Sequence, residues 1–307
     1  MLRQALLAAS ASTQIRQLVT TLPVSRDVVA RFVAGDTADD ALAAIGRLAG
    51  EGLQATVDYL GEDTASREQA AAVADEYIAL LGQLGGLATA AEVSVKPTAV
   101  GLGLAEHGEK TALENIVRIA VAARNAGTTV TLDMEDHSRV DATLRLVGEL
   151  RADFPDLGCV LQAYLRRTAA DCQALAAAGA RVRLCKGAYE APGDLAWSGR
   201  RDVDRSYARC LRILMRGAGY PMLATHDPRL IELGGVVAAM TGRGRADFEY
   251  QMLYGLRTAE QRRLAAAGAR VRVYVPYGSD WYGYLVRRLA ERPANMAFFL
   301  RALASGH

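Results

Sequence analysis

The sequence predicts an α/β chain closed into a (β/α)8 barrel, on three observations. One joint recurs: a helical stretch ends in Ala-Gly or Gly-Gly and a strand-like run begins within a few residues. Asn125-Ala126-Gly127 precedes Thr128-Thr129-Val130-Thr131 in this way, and Gly217-Ala218-Gly219 precedes Tyr220-Pro221-Met222-Leu223. Two copies nearly coincide, at Ala178-Gly179-Ala180-Arg181-Val182-Arg183-Leu184 and Ala267-Gly268-Ala269-Arg270-Val271-Arg272-Val273. Glycine after the last helical residue takes the left-handed conformation that stops a helix, and the run after it suits a buried parallel strand. Collecting these joints gives about eight strands alternating with helices, which fits a closed barrel better than an open sheet. The third observation is length: 307 residues accommodate such a barrel with added helices, and no Pro/Ser-rich linker or charge block divides them.

Taken in order, residues 1–48, with Asp36 and Asp39 between apolar positions, are expected to form an N-terminal helical arm. Residues 49–307 are expected to form the barrel. Strands are expected near Leu53–Asp58, Glu92–Lys96, Thr128–Asp133, Val160–Tyr164, Arg181–Lys186, Pro221–His226, Asp247–Leu253 and Arg270–Val275. Helical periodicity covers Ala112–Asn125, Arg139–Arg151, Asp204–Arg216 and Thr258–Ala266. The opening Met1-Leu2-Arg3 followed by Ala5-Leu6-Leu7-Ala8-Ala9 has the outline of a signal peptide, but its apolar run is too short and continues at helical spacing through Ile15, Leu18 and Val19. No apolar stretch approaches the roughly 18 residues of a membrane span.

The 36 basic and 34 acidic residues leave a formal charge of +2, too little for an overall field that would attract nucleic acid. Cys159, Cys172, Cys185 and Cys210 show no CxxC spacing and read as reduced thiols of a cytoplasmic protein. Lysine occurs only as Lys96, Lys110 and Lys186, and arginine supplies every other basic residue. Each lysine therefore raises the question of what a compact ammonium does there that a planar guanidinium cannot.

Barrel enzymes carry their chemistry at the carboxyl ends of the strands, and those ends are polar here. They include Lys96, Asp133, Gln162, Lys186 and Thr225-His226, with Leu253 and Tyr274 beside them. Glu135 and Asp136 read as ordinary solvated or helix-start carboxylates, whereas Asp133 directly ends an apolar strand. Lys96 and Lys186 read either as strand-end ion pairs or as functional groups, a Schiff-base nucleophile included. Four histidines without HxH or HxxxH spacing give no metal site. Gly101 and Gly103 form a GxG without the rest of a dinucleotide fingerprint. Near the end, Tyr284, Arg287 and Arg288 share one helical face, which by itself reads either as a surface helix whose arginines pair with Glu291 or face water, or as a site where paired guanidiniums suit a carboxylate and the ring suits a small apolar body.

Seven ordered motifs resemble proline dehydrogenases of the bacterial monofunctional type. They are Val93-Ser94-Val95-Lys96, Thr131-Leu132-Asp133-Met134-Glu135-Asp136, Gln162-Ala163-Tyr164-Leu165, Arg183-Leu184-Cys185-Lys186-Gly187-Ala188-Tyr189, Ala224-Thr225-His226, Phe248-Glu249-Tyr250-Gln251-Met252-Leu253-Tyr254-Gly255 and Tyr284-Leu285-Val286-Arg287-Arg288-Leu289-Ala290-Glu291-Arg292-Pro293. The resemblance implies a distorted (β/α)8 TIM barrel with noncovalent FAD and a last helix lying over the barrel mouth. It implies that Lys96, Arg287 and Arg288 hold the carboxylate of L-proline while Tyr189, Leu253, Tyr274 and Tyr284 enclose its ring. Asp133 and Arg183 are the implied catalytic pair, Arg183 near the reactive flavin nitrogen. Met134, Gln162, Lys186, Gly187, Ala188, Thr225 and His226 are implied to line the cofactor.

The implied reaction yields Δ1-pyrroline-5-carboxylate, passes electrons to a quinone and leaves the second oxidation to a separate dehydrogenase. A quinone acceptor implies contact with a membrane surface, for which the apolar run Met296-Ala297-Phe298-Phe299-Leu300 is one candidate, although a docked terminal helix is the preferred reading of that run. Pro97 after Lys96, where the resemblance implies Leu, and Cys185, where it implies Val, depart from the pattern.

Overall fold

The computed structural model describes residues 29–61 and 63–285. Eight strands form one closed parallel barrel in sequence order: β1 (Gln54–Tyr59), β2 (Ala91–Val95), β3 (Val130–Leu132), β4 (Gly158–Gln162), β5 (Arg181–Cys185), β6 (Tyr220–Ala224), β7 (Glu249–Leu253) and β8 (Val271–Tyr277). β8 closes on β1 from Gln54 opposite Arg272 to Tyr59 opposite Tyr277. The named helices are α1 (Ala38–Gly50), α2 (Arg67–Gln83), α3 (Gly108–Ala126), α4 (Val140–Leu150), α5 (Thr168–Ala177), α6 (Arg200–Arg216), α7 (Pro228–Met240) and α8 (Thr258–Ala266).

Local chemistry sets the helix ends. Thr37 and Asp40 form a reciprocal capping box at the start of α1. Asp227 caps α7, with Pro228 in its first turn, where a missing N–H costs nothing. Gly127 stops α3 at φ +81°, and the Thr128 N–H returns to the Ala123 carbonyl. Thr128 therefore belongs to the helix stop and β3 is shorter than expected, although the Asp133 N–H still donates to Val95 of β2. β7 likewise starts at Glu249 because Asp247 closes a turn with Gly244.

α1 buries Ala41, Ala44, Ile45 and Leu48, spaced as one helical face, and packs on β1 and β8. That is the outer seat a helix following β8 would otherwise take. After β8 the chain enters a helical turn at 281–285 instead, and Tyr284 and Leu285 pack with Phe32, Val33, Leu60 and Leu256. Leu60 and Leu256 follow β1 and β7, so this turn lies at the carboxyl-end rim of the barrel. Arg287 and Arg288, expected on the last helix, lie outside the described residues.

Side chains alternate across each strand, and here the alternation separates apolar from charged. Outward residues such as Val57, Val93, Val182, Leu184 and Val273 form the main core with the helices. The inward set includes Glu92, Arg181, Arg183, Glu249, Gln251 and Arg272, which meet across the barrel through ion pairs and hydrogen bonds. Four carboxylates, Asp58, Glu92, Asp133 and Glu249, face four cations, Lys96, Arg181, Arg183 and Arg272, so the interior is charge-balanced. The apolar layers usual in such barrels give way to a buried salt lattice.

Candidate active site

β2, β3, β5 and β8 bring Lys96, Asp133, Arg183 and Tyr274 to one point of the barrel mouth. Asp133 sits at its centre. One carboxylate oxygen accepts from Arg183 at 2.9 Å and from Ser94 at 2.9 Å, and the other accepts from the Tyr274 hydroxyl at 2.7 Å. The Lys96 ammonium lies 4.0 Å away. Arg183 also donates to Gln251 at 2.5 Å and to the Ser94 hydroxyl at 2.8 Å, and its guanidinium lies 5.3 Å from the centroid of the Tyr274 ring. Burial, with Asp133 and Asp58 beside it, pushes the Tyr274 phenol well above its ordinary range, so it remains a proton donor.

Asp58 is the residue that sequence reasoning passed over. It is fully buried on β1, and its two oxygens accept from Lys96 at 2.7 and 2.6 Å. Burial pushes the Asp58 carboxyl up, and the ammonium opposes that rise. Tyr77, which donates to the Ser94 carbonyl at 2.7 Å, backs the pair from outside the barrel. An ammonium clasped in this way differs from the neutral amine that Schiff-base chemistry needs. Ser94 and Gln251 were likewise not singled out; a signal was present in the charged and polar residues at alternate positions of Glu92-Val93-Ser94-Val95-Lys96 and Glu249-Tyr250-Gln251.

The remaining lysines separate cleanly. Lys110 makes an exposed pair with Glu114 one helical turn on. Lys186 stands at the end of β5, 2.5 Å from Asp204 and 3.1 Å from Asp227, which leaves the third donor of its ammonium. Arg229 also engages both aspartates, and its hydrogen bonds, with those from Lys186, hold the Asp227 carboxyl far below the usual range against the opposing effect of burial. Asp136 caps the short 3-10 turn His137–Arg139, as a helix-start carboxylate should. Glu135 does not fit the solvated reading: it is buried and accepts from both the backbone N–H and the hydroxyl of Thr98. Its carbonyl accepts from the Gln162 amide at 2.6 Å.

The ends of β4, β5 and β6 form an arc of donors and acceptors: Gln162, Lys186, Thr225 and His226, with Met134 buried nearby in sequence after β3. The His226 Nε2 accepts from the Leu253 N–H at 3.0 Å and so orients the end of β7. Gly187 takes φ +100°, and a Cβ there would overlap the ring of Tyr164, whose buried hydroxyl has no hydrogen-bond partner. Ala188 is exposed and Tyr189 half-buried against the main core, both on the loop that follows. Gly187 thus makes room for the Tyr164 ring, and the orphaned phenol with the donors and acceptors of this arc fits a flat, polar heteroaromatic group. Gly187→Ala should cost at least ~1 kcal/mol through its backbone alone and strip retained cofactor from the purified protein; absorbance per polypeptide measures it.

Leu253 and Tyr284 meet in the small apolar cluster at the rim, beside Trp281. At the opposite, amino-terminal end of the barrel lies a cavity of about 870 Å³, lined by Arg181, Arg243, Arg270 and Arg272 among others. There Arg181 is committed to Glu92, Arg272 to Glu249 and Arg243 to the carbonyls that end α6, which gives these three a structural role.

A closed parallel barrel with a buried, charge-balanced polar cluster at the carboxyl ends of its strands defines a (β/α)8-barrel enzyme. A family profile described as proline dehydrogenase matches residues 41–301. A protein named proline dehydrogenase from Deinococcus radiodurans is 38% identical over 99% of this chain and 98% of its own length. Proline dehydrogenase 1 of Bacillus subtilis (strain 168) is also 38% identical, over 89% of each chain. Among solved structures, proline utilization A (PutA) from Bdellovibrio bacteriovorus, inactivated by N-propargylglycine, superposes with a TM-score of 0.80 at 26% identity. It covers 87% of this chain, which spans only 33% of that larger one. The chain belongs to the proline dehydrogenase family.

Proposed function

We propose that the barrel mouth oxidises L-proline to Δ1-pyrroline-5-carboxylate with noncovalently held FAD, and that a quinone takes the electrons onward. The observation that carries this reading is the convergence of Lys96, Asp133, Arg183 and Tyr274 beside the donor arc of β4–β6. Bound FAD supplies the two-electron acceptor at its N5 for the hydride leaving the ring carbon of the C–N bond.

The chain's own residues bind and orient. Lys96, with Arg287 and Arg288 of the last helix, receives the proline carboxylate, and charge-assisted hydrogen bonds fix one end of a small, rigid substrate. Tyr189, Leu253, Tyr274 and Tyr284 enclose the ring and exclude water. Asp133 holds Arg183 and Tyr274 in register, so a fixed guanidinium faces the place where negative charge develops. Gln162, Lys186, Gly187, Ala188, Thr225 and His226, with Met134, hold the cofactor. The substrate amine must be neutral to release the hydride, because protonation blocks its lone pair.

Among the described residues no helix is long and apolar enough to cross a membrane. The run Met296–Leu300 lies outside them. A separate dehydrogenase acting on pyrroline-5-carboxylate completes the degradation.

An absorption spectrum of the purified protein tests the reading: flavin bands should be present and should bleach when proline is added without oxygen. A colourless protein, or one trapped on its substrate by borohydride, would overturn it. Arg288→Met should raise the Michaelis constant for proline by roughly 10- to 150-fold, the worth of one or two charged hydrogen bonds, with flavin content retained. Unchanged proline kinetics in that variant would remove Arg288 from the clamp.

A further inference from the structure

β1 and β2 diverge at the barrel mouth, and a helix side chain stands in the opening. Their pairing runs from Ala55 opposite Ala91 to Val57 opposite Val93 and stops there. On its other edge β1 stays paired with β8 as far as Tyr59 opposite Tyr277, so the divergence lies on the β2 side of β1. Continued in the same register, Tyr59 would lie opposite Val95, and the slanted ladder of parallel strands would carry the Tyr59 N–H to the Ser94 carbonyl. The Tyr77 hydroxyl occupies that place instead. It accepts from the Tyr59 N–H at 3.1 Å and donates to the Ser94 carbonyl at 2.7 Å, so two hydrogen bonds in series replace one and both backbone groups stay satisfied.

Helical spacing delivers the phenol to the seam. Ala70, Ala74, Tyr77 and Leu81 follow one another at steps of four, three and four residues on the buried face of α2. The Tyr77 ring meets the Tyr59 ring edge-on, with centroids 6.3 Å apart. Asp58 precedes Tyr59 on β1 and Lys96 directly follows β2, so both hydrogen bonds of their clasp, at 2.7 and 2.6 Å, cross the opened seam. The Tyr77 oxygen lies 3.4 Å from the nearer Asp58 oxygen, and the shorter contact assigns its one proton to Ser94. The Ser94 hydroxyl, for its part, donates to Asp133 and accepts from Arg183. Those two residues are also held by Tyr274 and Gln251, anchors on β8 and β7 that do not depend on the seam.

We propose that Tyr77 is a positioning residue for proline oxidation: its phenol wedges β1 from β2 at the mouth, and the width of that opening places the Asp58–Lys96 clasp and so the ammonium that receives the substrate carboxylate. This rests on the reading of Lys96 as a carboxylate anchor. Without the hydroxyl, either the strands close onto a direct ladder bond or a buried N–H and a buried carbonyl lose their partner. Both outcomes shift Lys96 relative to Asp133.

Tyr77→Phe keeps the ring and removes only the oxygen. In steady-state kinetics with a dye acceptor, its KM for proline should rise roughly tenfold, the worth of one charge-assisted hydrogen bond, while kcat stays within about threefold of native. Lys96→Met should raise KM at least as much, and adding Tyr77→Phe to it should change KM by less than about twofold, because the phenol acts through the ammonium. Asp58→Asn, which leaves the wedge in place but weakens the clasp, should reproduce the rise in KM. A native KM in Tyr77→Phe beside an impaired Lys96→Met, whatever the melting temperature, would overturn the proposal and leave the clamp reading standing. An undiminished effect of Tyr77→Phe in the Lys96→Met background would do the same. A native KM in Asp58→Asn would also overturn it, and that variant carries the test where Tyr77→Phe does not fold. A native KM in Lys96→Met would remove the clamp reading itself, and with it the route assigned to Tyr77.

Discussion

Glu92→Gln should lower the free energy of unfolding by about 3–5 kcal/mol near neutral pH, the cost of removing one partner from a buried ion network. Glu92 is buried inside the barrel, where Arg181 donates to it at 2.7 Å and Arg183 at 3.4 Å, with Arg272 at 3.8 Å. Thr56 and Thr131 hydroxyls complete its shell at 2.9 and 3.2 Å. Burial alone would raise this carboxyl; the guanidiniums of Arg272, Arg181 and Arg183 outweigh it and hold the group far below its ordinary 4.5. A depressed folded-state value means that the stabilisation is complete above about pH 4.5 and is lost as pH falls below it. The gap between native protein and variant in urea melts should therefore be widest near neutrality and narrow in acid. A gap under about 1 kcal/mol at neutral pH would show that the lattice relaxes around a neutral amide.

The same lattice shows what the sequence conveys and what it withholds. Repeated Ala-Gly stops made eight strands legible, because a helix stop followed by an apolar run needs only local chemistry. The strand ends made the mouth legible for the same reason, since parallel strands place their carboxyl ends on one side. Pairings inside the barrel were not legible. Asp58 and Lys96 are 38 residues apart, and Arg183 and Gln251 are 68 apart. Their contact follows from closure and register, which no local pattern encodes. Charged or polar residues at alternate positions of β2, β5, β7 and β8 announced only that something polar faces inward. Glu135 was misread for a related reason: its solvation depends on Thr98, which arrives from the preceding strand-end loop. The seat of the last helix at the rim becomes intelligible only once α1 is seen filling the outer groove of β1 and β8.

Asp133→Ala should reduce kcat/KM for proline by about a hundredfold or more, since a misplacement of roughly 1 Å in a catalytic group costs that much. The carboxylate fixes Arg183 at 2.9 Å and Tyr274 at 2.7 Å and faces Lys96, so its removal frees together the proposed catalytic guanidinium, the phenol proposed to pack on the ring and part of the proposed carboxylate clamp. Because these groups act as a unit, replacing Arg183 as well should add much less than its separate effect. Flavin content should stay near native, because Gln162 of the proposed cofactor arc is anchored on the Glu135 carbonyl and not on Asp133. Asp133→Asn should recover part of the loss, since its one carbonyl oxygen can still accept from Arg183 or Tyr274 but not serve both as the carboxylate does. Steady-state kinetics with a dye acceptor, run beside flavin absorbance, separate the alternatives. An alanine variant within about threefold of native kcat/KM would show that Arg183 is placed by Ser94 and Gln251 alone.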